Sequence, residues 1–157
     1  MEQKRLLLPF TCDVDVKALH SILQLAKIHN ATLVALALIP LSAQQRPEEV
    51  RLESIEQVQD FLATLQTQAD IHAVRVEAHE LYTHDVLASI CSYTHHLHCQ
   101  QVLLSYEGER AHFLHAHEAQ QLRLLNAHPL HVLYTQPKQR AKKGFLHTFV
   151  AQVAASC

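Results

Sequence analysis

The stretch Thr32 to Ile39, Thr-Leu-Val-Ala-Leu-Ala-Leu-Ile, constrains the fold more than any other part of the chain. A strand that is wet on one face alternates apolar and polar residues; this run is apolar on both. That is the pattern of a central parallel strand covered by helices on either side, and Pro40 stops it. Such a strand needs parallel neighbours and crossover helices, and the flanking sequence supplies both. Lys4 to Phe10 is a short apolar run that reads as a buried strand. Asp13 or Asp15 can cap a following helix in which Val16, Leu19, Ile22, Leu23 and Ala26 recur at helical spacing as far as Asn30.

The same alternation continues after Pro40. Pro47 with Glu48 and Glu49 suits a first helical turn, where a missing N–H costs nothing and negative charge meets the helix dipole favourably. The helix is expected to run to about Ala69, with Ile55, Val58, Leu62 and Leu65 on one stripe. Ile71 to Glu80 reads as a less buried strand at a sheet edge. Thr83 can cap a third helix carrying Val86, Leu87, Ile90, Thr94 and Leu97, and Gln101 to Tyr106 reads as a fourth strand. Glu107 to Ala111 reads as irregular, Ala119, Leu122 and Leu125 mark a fourth helix, and Leu130 to Thr135 is a fifth strand closed by Pro137. This β-α-β-α-β-α-β-α-β order implies one α/β domain with right-handed crossovers and helices on both faces of a parallel sheet.

Composition narrows the function. With 157 residues the chain suits one domain, here residues 1–137, followed by a tail at 138–157. Hydrophobic residues make up 48%, and Lys+Arg 13 stand against Asp+Glu 15, so neither a disordered chain nor a globally basic nucleic-acid binder is expected. No run suits a secretory core or a membrane span, and the four cysteines lack the spacing of a disulfide scaffold. A cytoplasmic protein with free thiols is the expectation. There are only 2 Gly, which disfavours a glycine-rich phosphate loop, and 14 His, which raise metal binding and acid response.

Lys-Arg-Leu-Leu-Leu-Pro-Phe at 4–10, the helix ending Leu-Ala-Lys-Ile-His-Asn, Ala-Thr-Leu-Val-Ala-Leu-Ala-Leu-Ile-Pro at 31–40 and Leu-Leu-Asn-Ala-His-Pro-Leu-His-Val-Leu-Tyr at 124–134 together resemble the universal stress protein family over about residues 4–136. The resemblance implies an open five-stranded parallel sheet of order 3-2-1-4-5, Rossmann-like and akin to the adenine nucleotide alpha hydrolases. It also implies homodimerisation through the last strand. A ligand in such a sheet lies beyond the carboxyl ends of strands one and four, where strand order reverses. That places a pocket at Thr11, Ile39, Ser105 and Gly108.

Family members that bind ATP carry a Gly-two residues-Gly-nine residues-Gly-Ser/Thr motif after the fourth strand. Of this pattern the chain keeps Gly108, and Ala116 to Glu118 stand where the later glycine would fall. The acidic residue that contacts the nucleoside in those members is here Thr11, with Asp13 nearby, and Glu107 and Glu109 would face the phosphates. The expected function is a regulatory or interaction module without ATP, without a cofactor and without enzymatic activity. The alternative is a metal- or nucleotide-responsive stress sensor.

Cys91, His95 and His98 fall at i, i+4 and i+7, one helical face, and offer a thiolate and two imidazoles to a metal such as Zn²⁺. His112, His115 and His117 form a second cluster. No enzyme motif such as G-x-S-x-G, H-E-x-x-H or C-x-x-C occurs. In the tail, Lys-Gln-Arg-Ala-Lys-Lys at 138–143 precedes Phe145, Leu146, Phe149, Val150 and Val153 at helical spacing, a basic amphipathic segment expected to pack on the domain or across a dimer, with an anionic membrane surface or a partner as the alternative.

Overall fold

The computed structural model describes residues 3–125, 127–135 and, for the backbone, 151–155. The elements in order are β1 (Arg5–Phe10), α1 (Val16–Ile28), β2 (Thr32–Pro40), α2 (Leu52–His72), β3 (Val76–Thr83), α3 (Val86–His96), β4 (Gln101–Glu107), β5 (Arg110–His112), α4 (Ala116–Leu125), β6 (Leu130–Thr135) and β7 (Ala151–Ala155). The sheet runs β3-β2-β1-β4-β6-β7, with β5 folded back antiparallel on β4. The five strands read from the sequence are β1, β2, β3, β4 and β6. They are parallel and adopt the order 3-2-1-4-5 when counted among themselves.

Strand alternation divides the core in two. Leu6, Leu8 and Phe10 of β1 and Leu33, Ala35 and Ala37 of β2 face α1 and α2. Leu7, Val34, Leu36 and Leu38 face the other way, toward Ile90 of α3 and Leu122 of α4. Every residue of β2 except Pro40 is buried, as an apolar run on both faces requires. Phe10 stacks on Phe61 of α2 with ring centroids 4.0 Å apart, and Phe113 tilts against Phe61 at 6.1 Å.

Three local readings are corrected. Pro47–Glu49 is a separate 3-10 turn, and α2 begins at Leu52 and continues through Ile71 to His72 before Ala73 ends it in the left-handed conformation, φ 55°. The apolar Ile71 is therefore an exposed last-turn residue and not the start of a strand. The α3 cap is Asp85, whose Oδ1 accepts from Ala88 N–H, while Thr83 Oγ1 is engaged with Asp85 and Ser89. Finally, Glu107 to Ala111 is a hairpin: Glu107 pairs with Arg110 across the two-residue turn Gly108-Glu109. Gly108 has φ +59°, the positive angle that the first central position of such a turn demands.

Of the tail, residues 138–150 lie outside the described residues. Residues 151–155 form a strand antiparallel to β6, with Val132 opposite Val153, so Val153 does not belong to a helix. The physical reason is tertiary: β6 otherwise presents an open backbone edge, and pairing it outweighs a local helical pattern. Among the described residues no helix is long and apolar enough to cross a membrane.

At the amino ends of the strands His131 is buried on β6, its ring 6.2 Å from that of His29. Nε2 of each is buried without a hydrogen-bond partner, while His131 Nδ1 lies 3.4 Å from Gln101 Oε1. Burial first, then the neighbouring His29 and Lys4, hold His131 below the usual histidine range, and burial with Lys4 does the same for His29. Such a base favours its neutral form in the fold, so the unfolded chain takes up the proton first as the pH drops below about 6.5. This stability is complete above that value and is lost as the pH falls toward the depressed folded-state pKa. Urea midpoints at about pH 7.5 and about pH 5.5 should show a loss on acidification that His131→Gln reduces; an equal loss in both proteins would contradict it.

Candidate functional site

The site lies where β1 and β4 part. Their pairing covers Leu6 opposite Gln101 and Leu7 opposite Val102 and then stops, whereas β1 stays in register with β2 through Phe10. Arg5 C=O accepts from Gln100 N–H, so odd-numbered backbone groups of β1 face β4. The missing N–H of Pro9 thus falls on the β4 side, beyond the last pair, where it costs no ladder bond. The strands diverge there and open the crevice at which strand order reverses.

The chain fills this crevice with its own loop. Phe113, the residue that follows β5, has φ 68°, a left-handed angle that costs a non-glycine residue about 1–2 kcal/mol. Its carbonyl accepts from Thr11 N–H at 2.7 Å and Cys12 N–H at 3.0 Å, and its ring is buried against Phe61. Glu118, itself buried, accepts from the Thr11 hydroxyl at 2.6 Å and from His115 N–H at 3.0 Å with the same oxygen. It stands three residues after the N-cap of α4 and supplies the returning half of a capping box. One carboxylate therefore starts the helix and ties it to the end of β1.

Beside this tie His112 lies between two carboxylates. Its side chain is 3% exposed, Nδ1 is 3.6 Å from Asp15 Oδ2 and Nε2 is 4.0 Å from Glu107 Oε2. These are ion-pair separations, longer than hydrogen bonds. Asp15 uses Oδ1 to cap α1 through Ala18 N–H, which leaves Oδ2 to face the imidazole. Asp15, Glu107 and His112 are the one group of three or more metal-binding side chains with ligand atoms within 4.8 Å of one another among the described residues. Cys12, next to Thr11, is half-buried, and burial pushes its thiol above the usual range, so it is no ready thiolate.

The four expected pocket positions meet different fates. Thr11 is at the crevice but committed to Glu118. Ile39 is 2% exposed and belongs to the core shared with α1 and α2. Ser105 is buried with its Oγ unpartnered, on β4 directly opposite His112. Gly108 serves the hairpin turn, and a Cβ placed there would meet nothing within 4 Å, so its freedom is spent on the turn and not on close approach to a ligand.

Cys91, His95 and His98 are not brought together. The helix ends at His96, and His98 follows in the left-handed conformation with φ 55°, which takes it off the face that i, i+7 spacing assumed. The second histidine cluster splits too: His115 and His117 are exposed with rings stacked 5.8 Å apart, while His112 turns inward. The hairpin that aims His112 had a signal in the glycine between Glu107 and Glu109; the partnership with Asp15, nearly a hundred residues away, had none.

Compared as sequence, the chain matches no protein-family profile. It matches no curated protein either. Solved structures do match. A universal stress protein from Archaeoglobus fulgidus aligns with TM-score 0.62 at 10% identity over 82% of this chain and 92% of that one. The chain has the universal stress protein fold. The A. fulgidus protein in complex with dAMP aligns with TM-score 0.63 at 12% identity over 84% and 98% of the two chains. A universal stress protein family member from Burkholderia pseudomallei gives 0.61 at 14% identity over 80% and 93%.

In this version of the universal stress protein fold, Glu118 fastens loop, helix and strand. Glu118→Ala leaves the Thr11 hydroxyl and the His115 N–H without their acceptor and should cost about 1–3 kcal/mol, whereas Glu118→Gln keeps an oxygen and should cost less. Chemical denaturation of both variants measures this; an alanine variant as stable as the parent would contradict it.

Proposed function

We propose that the protein is a non-catalytic regulatory or interaction module of universal-stress-protein type that works without ATP. The supporting observation is the Phe113 carbonyl, seated on the Thr11 and Cys12 amides in the crevice where the fold would otherwise admit a ligand. A protein of this fold, the A. fulgidus universal stress protein, has been solved in complex with dAMP. Here a nucleotide must displace a buried aromatic residue and two backbone hydrogen bonds.

It must also approach Glu107 and Asp15. At about 4 Å and an effective dielectric near 20, each carboxylate–phosphate approach costs about 4 kcal/mol before screening. The half-buried thiols of Cys12 and Cys99, both pushed up by burial, fit a reducing cytoplasm and offer no activated nucleophile. A homodimer through the last strand of the sheet would use the edge of β7, which covers β6.

Titration with ATP and Mg²⁺ followed by thermal unfolding tests the reading. A ligand at about 100 times its Kd stabilises by about 2.7 kcal/mol, roughly 5 °C or more for a domain of this size. No saturable rise up to about 1 mM ATP is expected, and native mass spectrometry of the same sample should show a dimer without retained nucleotide. A saturable rise at micromolar ATP would overturn the reading.

A further inference from the structure

We propose that Asp15, Glu107 and His112 form a divalent-cation site, of the zinc type, at the crevice between β1 and β4. One imidazole nitrogen and one oxygen from each carboxylate already lie within 4.8 Å of one another. A tetrahedral ion with ligands at about 2.0–2.2 Å needs them to close to roughly 3.4 Å. Asp15 faces Nδ1 and Glu107 faces Nε2, so an ion bound to one nitrogen draws the carboxylate on the other side around the ring, and both carboxylate side chains are partly exposed. One nitrogen and two oxygens suit Zn²⁺ or a neighbouring first-row ion, which would take a water as its fourth ligand.

Charge points the same way. Among the described residues, the ion-pair partner of both Asp15 and Glu107 is His112, with no Lys or Arg within 4.0 Å of either. With a neutral imidazole the group carries two negative charges around a side chain that is almost wholly buried. A divalent ion would balance both.

An independent observation comes from the hairpin. Ser105 is 2% exposed, and its Oγ has no hydrogen-bond partner. It pairs in register with His112, so both side chains project from the same face of the β4–β5 ribbon, the face on which Glu107 also stands. A buried hydroxyl left unsatisfied is costly, and an ion-bound water beside His112 would supply its missing partner. Asp15 is also pre-oriented, since its other oxygen is held by the α1 cap. In a metal site such an outer hydrogen bond fixes the ligand.

This inference goes beyond the function proposed above and does not depend on it, because zinc is added without nucleotide. The full chain, purified without metal-affinity resin and stripped with a chelator, is titrated with Zn²⁺ by calorimetry. One ion per chain is expected to bind more tightly than any other. Glu107→Gln and Asp15→Asn should weaken that event by at least about tenfold. Asparagine still caps the helix, and Glu107 sits at the base of an exposed turn, so both variants are built to fold. His72→Gln, which breaks the exposed His72–His20 contact at 3.0 Å, should leave the event unchanged. No saturable zinc event in the parent chain would overturn the proposal, as would a tight event that survives both carboxylate substitutions.

Discussion

The acceptance of two successive amides, Thr11 and Cys12, by the single carbonyl of Phe113 is the contact on which the functional end of this molecule depends. Beyond Leu7 the first strand loses its β4 partner, and without another acceptor its backbone would face an open crevice. Phe113 supplies that acceptor from the far side of a hairpin, at the cost of a left-handed backbone angle. The contact is affordable because the same residue buries its ring against Phe61, which in turn stacks on Phe10 of β1. Hydrogen bonds and apolar packing thus close the crevice together.

Once the loop is seated, the polar groups around it acquire their roles. Glu118 is placed to start α4 and to hold Thr11; Asp15 starts α1 and turns its second oxygen to His112; Glu107 ends β4 over the same ring. Asp15 and Glu107 meet in one cluster around His112, and Glu118 ties down the loop beside it. The glycine that a phosphate cradle would require is absent, and the one at 108 is consumed by the hairpin that delivers His112 and Phe113. Low glycine and inward histidine are two sides of the same arrangement.

The fold was largely legible in the sequence because its signals are local and repeated. The both-sided apolar run of β2 and the alternation of strands with helical stripes were enough for the elements and their layering, whereas the strand order came from the resemblance to the universal stress protein family. The misreadings arose where local pattern competes with context: Ile71 continues a helix because the turn waits for Ala73, and residues 151–155 pair with β6 although the tail has helical spacing. The site was legible only in location. Thr11 follows directly on the first apolar strand, but the filling of the crevice depends on Phe113 meeting Thr11 across about a hundred residues, and no periodicity encodes that. The histidine face on α3 failed for a conformational reason, since spacing alone cannot reveal that the helix stops before His98.

Whether the crevice is closed in solution is decided most directly by amide hydrogen exchange at Thr11 and Cys12. If the Phe113 carbonyl holds them, both amides exchange as slowly as those of the β1 core, because opening them requires lifting a buried phenylalanine. Exchange at the rate of an open loop, while Leu6 to Leu8 stay protected, would mean that the loop does not occupy the crevice.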